Sequence, residues 1–182
     1  DLSNNETTIH HNASEHWKIT LLDTGLNSLT GTRILKAKNY IEDEKFLLTY
    51  GDGVSDVNMD NLISFHNEKN KTVTMTAVQP QGRYGAISIN DDSIVEKFIE
   101  KPSGDGAWIN GGFFICNKDV FNYIDKNTNE MFEENPLNQL AINNELAAYR
   151  HKGFWQCMDT LRDKNYLSDL WEQGTAPWMI KD

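Results

Sequence analysis

A carboxylate between two glycines is the first feature of this sequence that could do chemistry. Asp52 stands in Gly51-Asp52-Gly53, directly after the apolar run 46–50, which indicates a buried strand that ends in a tight turn. Ligands of open α/β sheets bind beyond the carboxyl ends of the strands, so Asp52 would project into such a crevice. The glycines would let a substrate approach closely, and a carboxylate there suits a hard cation such as magnesium. Asp-Gly is also a common turn dipeptide, and the local residues leave both interpretations open.

A second carboxylate that could share a cation with Asp52 is Asp159. It follows the aromatic-rich stretch 154–158 and precedes a helical pattern. Asp159 or Thr160 could cap that helix, and capping is the interpretation of Asp159 that the residues alone favour. Magnesium is usually held by one or two carboxylates and keeps several waters. Two aspartates brought together by the fold would therefore form a magnesium site.

The tripeptide Glu100-Lys101-Pro102 could recognise a sugar phosphate. The proline restricts Lys101 to an extended conformation, from which its ammonium group can meet a phosphate as a point charge. The Glu100 carboxylate could accept hydrogen bonds from sugar hydroxyls. A solvated strand end before a turn explains the same residues, and in isolation it is the more common case.

Two glycine-containing segments, 82–86 (GRYGA) and 110–112 (NGG), could bring backbone close to a ligand. Glycine weakens strand pairing, and a β-bulge would explain each segment equally well. Trp155 could pack against a sugar face, although a tryptophan is by default a core or interface residue. The five histidines lack metal-ligand spacing, so we interpret them as surface or core residues.

Composition and charge exclude several classes of function. A formal net charge of -10 opposes a nucleic-acid surface, since duplex binding needs a clustered basic face. Cys116 and Cys157 do not form a CxxC pair, which favours a reduced, cytoplasmic protein. No apolar run approaches the roughly 18 residues of a membrane helix, so no membrane association is expected.

The elements that must position these residues alternate between strand and helix. Residues 1–16 form a polar N-terminal segment, and residues 17–182 are predicted to form a single α/β domain with a mixed β-sheet flanked by helices. The three strands between 84 and 116 are predicted to be joined by hairpins. The predicted strands are 17–22, 46–50, 72–78, 84–89, 94–100, 109–116 and 146–151, and the predicted helices are 32–41, 59–67, 119–124, 136–143 and 162–173.

Seven short blocks, taken in order, resemble the sugar-1-phosphate nucleotidyltransferase family, and within it the glucose-1-phosphate cytidylyltransferases. The resemblance extends from about residue 17 to residue 178. The family normally opens with a strand and a glycine-rich loop of the form GGxGTRL, which has no match in this chain. The blocks are 22–25 (LDTG), 30–33 (TGTR), 50–54 (YGDGV), 82–86 (GRYGA), 100–102 (EKP), 110–114 (NGGFF) and 155–164 (WQCMDTLRDK).

The resemblance implies a nucleotide-diphospho-sugar transferase-like, Rossmann-like fold that is incomplete at its N-terminus. It also implies attack of glucose 1-phosphate on the α-phosphorus of CTP, giving CDP-glucose and pyrophosphate without a covalent intermediate. Such transfers depend on alignment and charge neutralisation. Without the glycine-rich loop, the chain is expected to be incomplete for catalysis. The partners are then these two small molecules and further copies of the chain in a homo-oligomer.

The resemblance further assigns roles to individual residues. Asp52 and Asp159 are expected to hold Mg²⁺, and Lys101 is expected to contact the sugar phosphate as a third catalytic residue. Thr24 and Gly25 are expected near the base and ribose. The remaining expected substrate-binding residues are Gly51, Gly85, Glu100, Asn110, Gly112 and Trp155.

Two other functions stay open at this stage. A metal-dependent glycosyltransferase could use Asp52 to hold a metal on a nucleotide-sugar donor, and it would release a nucleoside diphosphate instead of pyrophosphate. A non-catalytic assembly or regulatory module would account for the unmatched loop, but it would not need Asp52, Lys101 and Asp159 together. The choice of cytosine over uracil or thymine depends on a few hydrogen bonds that the sequence does not fix.

Overall fold

Eight strands and four α-helices form the part of the protein that the computed structural model describes, residues 18–80, 86–99 and 107–179. The strands are β1 (Lys45–Thr49), β2 (Gly53–Ser55), β3 (Val73–Val78), β4 (Ala86–Ile89), β5 (Val95–Ile99), β6 (Ile109–Asn117), β7 (Leu146–Arg150) and β8 (Trp155–Cys157). The helices are α1 (Thr30–Ala37), α2 (Met59–Lys69), α3 (Asn135–Ile142) and α4 (Leu161–Glu172), with 3₁₀ turns at Lys38–Tyr40 and Lys118–Tyr123.

The main sheet has four strands in the order β1-β6-β3-β7. β6 pairs antiparallel with both β1 and β3, whereas β3 and β7 run parallel, which confirms the predicted mixed sheet. β3 lies between two neighbours, and all its residues except Met75 are buried. Its β-branched and small side chains suit a strand that is covered on both faces.

The core lies against the main sheet and is built from large apolar side chains. Phe114 on β6 and Phe132 before α3 are almost fully buried, and their ring centroids lie 5.7 Å apart in an edge-to-face arrangement. Ile34 of α1 and Leu140 of α3 belong to the same cluster. The core therefore connects both helices to the sheet.

Capping residues mark the start of α2 and the end of α4. Asn58 caps α2, because its Oδ1 accepts a hydrogen bond of 2.8 Å from the Asn61 N–H. Gly174 closes α4 in the left-handed region with φ 65°, and its N–H donates to the Trp171 carbonyl oxygen.

Three expectations about the strands are wrong. Residues 18–22 form no strand in the described part of the chain, and Ile19 and Leu21 are 72% and 86% exposed. β4 and β5 form the predicted hairpin, but β6 joins the main sheet because its apolar side chains fill the core. β1 is an edge strand with one exposed face instead of a buried strand.

His66 lies in the core and is held as a neutral imidazole. Its Nδ1 lies 2.8 Å from Thr74 Oγ1, and its Nε2 lies 3.1 Å from Asn117 Oδ1. The Asn117 amide nitrogen donates to the Lys71 carbonyl oxygen, so Oδ1 faces His66 and Nε2 carries the proton. Burial lowers the pKa of His66 from its ordinary value, and the hydrogen bond with Asn117 opposes that shift.

Neither cysteine is arranged for nucleophilic chemistry. Both thiols are free. Burial raises the pKa of Cys116 to about 12 and, together with the neighbouring Asp159, raises the pKa of Cys157 to about 11. In the described ranges, each helix is too short or too polar to cross a membrane.

Replacing Phe132 with alanine should lower the free energy of unfolding by about 3–5 kcal/mol, because the buried ring leaves a cavity against Phe114. Ile142→Ala at the end of α3 is the control; this side chain is 74% exposed, and the change should stay within about 0.5 kcal/mol. Urea unfolding followed by circular dichroism measures both. Equal losses would contradict this placement of the core.

The lowered pKa of His66 predicts a pH dependence of stability. Below the ordinary histidine value of 6.5, the unfolded chain binds a proton that the folded chain does not bind. The free energy of unfolding should therefore fall as pH decreases from 6.5 until the lower folded pKa is reached. Urea unfolding at a series of pH values measures this slope, and His66→Gln should reduce it. An unchanged slope in the variant would contradict the assignment.

Candidate active site

The antiparallel ribbon of β2 and β8 brings the two candidate metal ligands to the same end of one structure. Gly53 pairs with Cys157, and the Met158 N–H continues the pairing by donating to the Asp52 carbonyl oxygen at 2.7 Å. Asp159 follows directly, and the side chains of Asp52 and Asp159 are both exposed. Two acidic residues that are far apart in the sequence thus have neighbouring backbones in the fold.

Asp159 is not the cap of α4. Thr160 is the N-cap residue, with its Oγ1 accepting from the Asp163 N–H while the Asp163 carboxylate accepts from the Thr160 N–H. Asp159 Oδ2 accepts a hydrogen bond of 3.1 Å from the Cys157 thiol. The capping interpretation of Asp159 is therefore wrong.

The ribbon is tied to the main sheet by a cluster around Asp56. The Asp56 carboxylate lies 2.8 Å from His151 Nε2, and the His151 N–H donates to the Ala77 carbonyl oxygen on β3. A Cβ atom on Gly153 would come within 2.3 Å of Asp56 Oδ1, so only glycine leaves room for this pair. Ser55 Oγ adds a bond of 2.8 Å to the Phe154 carbonyl oxygen. These contacts fix the position of the aspartates relative to the sheet.

A small cleft opens where the end of β1, the start of β6 and β8 meet. Of the residues expected to bind metal or substrate, Asp52, Asn110, Gly112 and Trp155 line it together. The Trp155 indole N–H donates to the Gly111 carbonyl oxygen at 2.7 Å, which fixes the orientation of the ring. The remaining lining residues are Thr49, Tyr50, Gly53, Gly111 and Phe113.

A β-bulge explains the glycines of the 110–112 segment. The pairing of β3 with β6 shifts between Met75↔Phe114 and Ala77↔Asn110. Gly112 has φ +77°, and a Cβ atom there would lie 2.9 Å from the Tyr50 ring. A side chain at this position would therefore collide with the wall of the cleft. The bulge alone accounts for Gly112.

The structure does not bring all expected residues to this cleft. Thr24 and Gly25 lie in the loop before α1 and are not among the residues that line it. There the Gly25 N–H donates to Asp23 Oδ1 at 2.8 Å, and the Thr24 carbonyl oxygen accepts from Lys36 Nζ at 2.7 Å. Their expected role near a base and ribose stays a prediction.

Four further residues complete the comparison with the sequence. Gly51 precedes Asp52 and is exposed, and a Cβ atom on it would meet nothing within 4 Å. Its surroundings therefore leave room for a ligand. Gly85, Glu100 and Lys101 lie outside the described residues.

The donor set of the site fits magnesium. Within the described ranges, no group of three or more His, Cys, Asp or Glu side chains could hold a metal ion. Asp52 and Asp159 instead offer two exposed carboxylates at one end of the ribbon. Magnesium is commonly held by one or two carboxylates together with waters and substrate phosphates, and of these two carboxylates only Asp52 is among the residues that line the cleft.

Glu133 lies near the cleft and was not among the residues selected from the sequence. It lies in the segment between the second 3₁₀ turn and α3, and its carboxylate accepts a hydrogen bond from the Tyr50 hydroxyl. Burial, followed by this bond, raises the pKa of Tyr50 above its ordinary value. No local motif marks Glu133, because the bond joins residues that are distant in sequence.

Comparison with known proteins finds similarity along nearly the whole chain. Residues 7–170 match the model of the nucleotidyl transferase family. The chain belongs to this family. It is 49% identical to the glucose-1-phosphate cytidylyltransferase of Salmonella typhimurium over 178 residues, which cover 97% of this chain and 68% of the relative. It is 46% identical to a probable glucose-1-phosphate cytidylyltransferase of Bacillus subtilis, over 91% of this chain and 65% of the relative.

Solved structures agree with the nucleotidyl transferase fold. A putative glucose-1-phosphate thymidylyltransferase from Bacillus anthracis matches with a TM-score of 0.62 at 12% identity, over 87% of this chain and 65% of that one. HddC from Yersinia pseudotuberculosis matches with a TM-score of 0.56 at 21% identity, over 79% and 62% of the two chains. At these identities the likeness establishes the fold. The chain spans about two thirds of the length of these proteins.

Replacing Thr160 and Asp159 separately tests which of the two residues caps α4 in this nucleotidyl transferase. Thr160→Ala removes the cap of α4 and should cost about 1 kcal/mol of stability. Asp159→Asn should change stability by less than about 0.5 kcal/mol, because this exposed side chain does not cap the helix. Thermal unfolding measures both effects. A stability loss in Asp159→Asn as large as that in Thr160→Ala would contradict this assignment of the cap.

Proposed function

We propose that this chain forms the magnesium-binding and sugar-phosphate-binding part of a glucose-1-phosphate cytidylyltransferase. The observation that carries the proposal is the pairing of β2 with β8, which sets Asp52 beside the segment that ends in Asp159. The curated relatives at 46–49% identity bear this enzyme name, which favours CTP and glucose 1-phosphate as the substrates.

The reaction requires one bond to form and one to break. A phosphate oxygen of glucose 1-phosphate attacks the α-phosphorus of CTP, and the bond to the pyrophosphate group breaks, so CDP-glucose and pyrophosphate result. No nucleophile from the protein is needed, because such transfers depend on alignment and charge neutralisation. Asp52 and Asp159 would hold Mg²⁺, which supplies positive charge against the phosphate oxygens.

The walls of the cleft favour a sugar phosphate as its occupant. Trp155 offers an aromatic face whose orientation is fixed by the bond to Gly111, and Asn110 offers an amide for hydrogen bonding. Sugars commonly pack their apolar face against an aromatic ring and present hydroxyls to polar side chains. Lys101 and Glu100 complete the proposed contacts to the phosphate and the sugar hydroxyls.

The proposal extends to assembly and location. Phe98 on β5 and Trp171 on α4 are 62% and 57% exposed, and apolar residues of this size on a surface favour association with another protein surface. We therefore keep a homo-oligomer as part of the proposal. A cytoplasmic location agrees with the free thiols of Cys116 and Cys157.

Release of pyrophosphate from CTP and glucose 1-phosphate tests the proposed reaction in the protein that also carries the family's glycine-rich loop. Asp52→Asn should lower turnover by about 100-fold or more, since the charge that holds the cation is lost. Asp169→Asn on the exposed face of α4 is the matched control and should retain wild-type turnover. Wild-type turnover in Asp52→Asn would contradict the role of this carboxylate.

Product analysis and binding separate the proposed reaction from the two alternatives. A glycosyltransferase would release a nucleoside diphosphate from a nucleotide sugar and no pyrophosphate from CTP. A non-catalytic module would show the same ligand binding in wild type and in Asp52→Asn, whereas the proposal requires magnesium-dependent binding of CDP-glucose that Asp52→Asn loses. Either of these results would exclude the cytidylyltransferase.

A further inference from the structure

A chain of hydrogen bonds connects the start of α1 to the wall of the cleft. Thr30 Oγ1 donates to Glu133 Oε2 at 2.5 Å, and the Tyr50 hydroxyl donates to Glu133 Oε1. The Asn110 amide nitrogen donates to the Tyr50 hydroxyl at 3.3 Å. Asn110 Oδ1 accepts from the Gly112 N–H at 2.9 Å. One network therefore links the helix, the segment before α3, the end of β1 and the bulge of β6.

The direction of these hydrogen bonds is fixed by groups that can only donate or only accept. In the bond between Tyr50 and Glu133 a carboxylate oxygen accepts, so the Tyr50 hydroxyl donates its single proton to Glu133. The hydroxyl can then only accept from Asn110, whose amide nitrogen has to donate. At the other end the Gly112 N–H only donates and requires the Asn110 carbonyl oxygen on its side. Both ends select the same orientation of the amide.

Backbone and ring contacts fix the position of the Tyr50 side chain beside Asn110. Its backbone N–H donates to the Gly112 carbonyl oxygen at 3.2 Å, and the absence of a side chain on Gly112 lets the ring lie against that residue. The ring also packs edge-to-face on Phe114 at a centroid distance of 5.7 Å. The hydroxyl is thus a fixed point for the amide.

In this orientation the Asn110 amide nitrogen has one N–H that makes no bond within the network. The amide nitrogen has a second proton, and the bond to Tyr50 occupies only the first. Asn110 lines the cleft together with Asp52 and Trp155. A sugar phosphate carries hydroxyl and phosphate oxygens that can accept such a proton.

We propose that Tyr50 and Glu133 are positioning residues that hold the Asn110 amide so that it donates to an oxygen of the sugar phosphate. Tyr50 and Asn110 line the cleft, whereas Glu133 acts through the Tyr50 hydroxyl. The identity of the ligand rests on the proposed function. The direction of the bonds follows from the geometry alone.

The binding of glucose 1-phosphate to the purified protein tests this inference. Calorimetric titration measures the Kd of glucose 1-phosphate for wild type, Tyr50→Phe, Glu133→Gln and Asn110→Ala. Tyr50→Phe keeps the ring but removes the hydroxyl. Tyr50→Phe and Glu133→Gln should each raise this Kd about three- to tenfold. The matched controls are Tyr40→Phe, 57% exposed, and Glu134→Gln, the exposed neighbour of Glu133, and both should bind as wild type does.

A double variant distinguishes positioning from a merely structural role. If Tyr50 acts through Asn110, then Tyr50→Phe combined with Asn110→Ala should bind glucose 1-phosphate no more weakly than Asn110→Ala alone. Effects that multiply would overturn the inference, as would unchanged binding in Tyr50→Phe. Thermal unfolding of each variant checks that the titrated protein is folded.

The same measurements separate this inference from the proposed reaction. Wild type that binds glucose 1-phosphate with the expected pattern of variants, but shows no magnesium-dependent binding of CDP-glucose, would contradict the proposed function and support the positioning role. Magnesium-dependent binding of CDP-glucose together with multiplying effects in the double variant would support the proposed function and overturn the positioning role. Wild type that does not bind glucose 1-phosphate would overturn both.

Discussion

The site depends on one backbone hydrogen bond, from the Met158 N–H to the Asp52 carbonyl oxygen. This bond extends the pairing of β2 with β8 by one residue beyond the strands and sets two distant acidic segments side by side. Neither carboxylate has to be buried, so the fold avoids the cost of desolvating two like charges. The His151–Asp56 pair holds the ribbon against β3, so the position of the site is fixed relative to the main sheet.

The sequence predicted the parts of the fold in which local pattern and burial agree. The β-branched run of β3 and the apolar run of β6 could be located because their side chains alternate or fill the core. The strand expected at 17–22 has the same local pattern but forms no strand in the described residues. β2 and β8 have three residues each, which is too short for the alternation of a strand to be recognised in the sequence.

The candidate site was predictable where a residue type is itself informative. Asp52 between glycines after a strand suggested either a turn or a ligand from local residues, and the structure places it at a cleft with Asn110 and Trp155. The meaning of Asp159 depended on which residue caps α4, and only coordinates decide between Asp159 and Thr160. Glu133 was missed because its partner is 83 positions away, and no spacing rule connects a glutamate to a tyrosine at that separation.

Because Gly112 contacts the Tyr50 ring, the residue that position 112 tolerates depends on the residue at position 50. A side chain at 112 would need both a smaller residue at 50 and tolerance of a left-handed backbone. Changing 112 first would force the ring out of place, whereas shortening 50 first opens space into which 112 could grow. Any attempt to widen this cleft, in the laboratory or over evolutionary time, therefore has to begin at the aromatic residue.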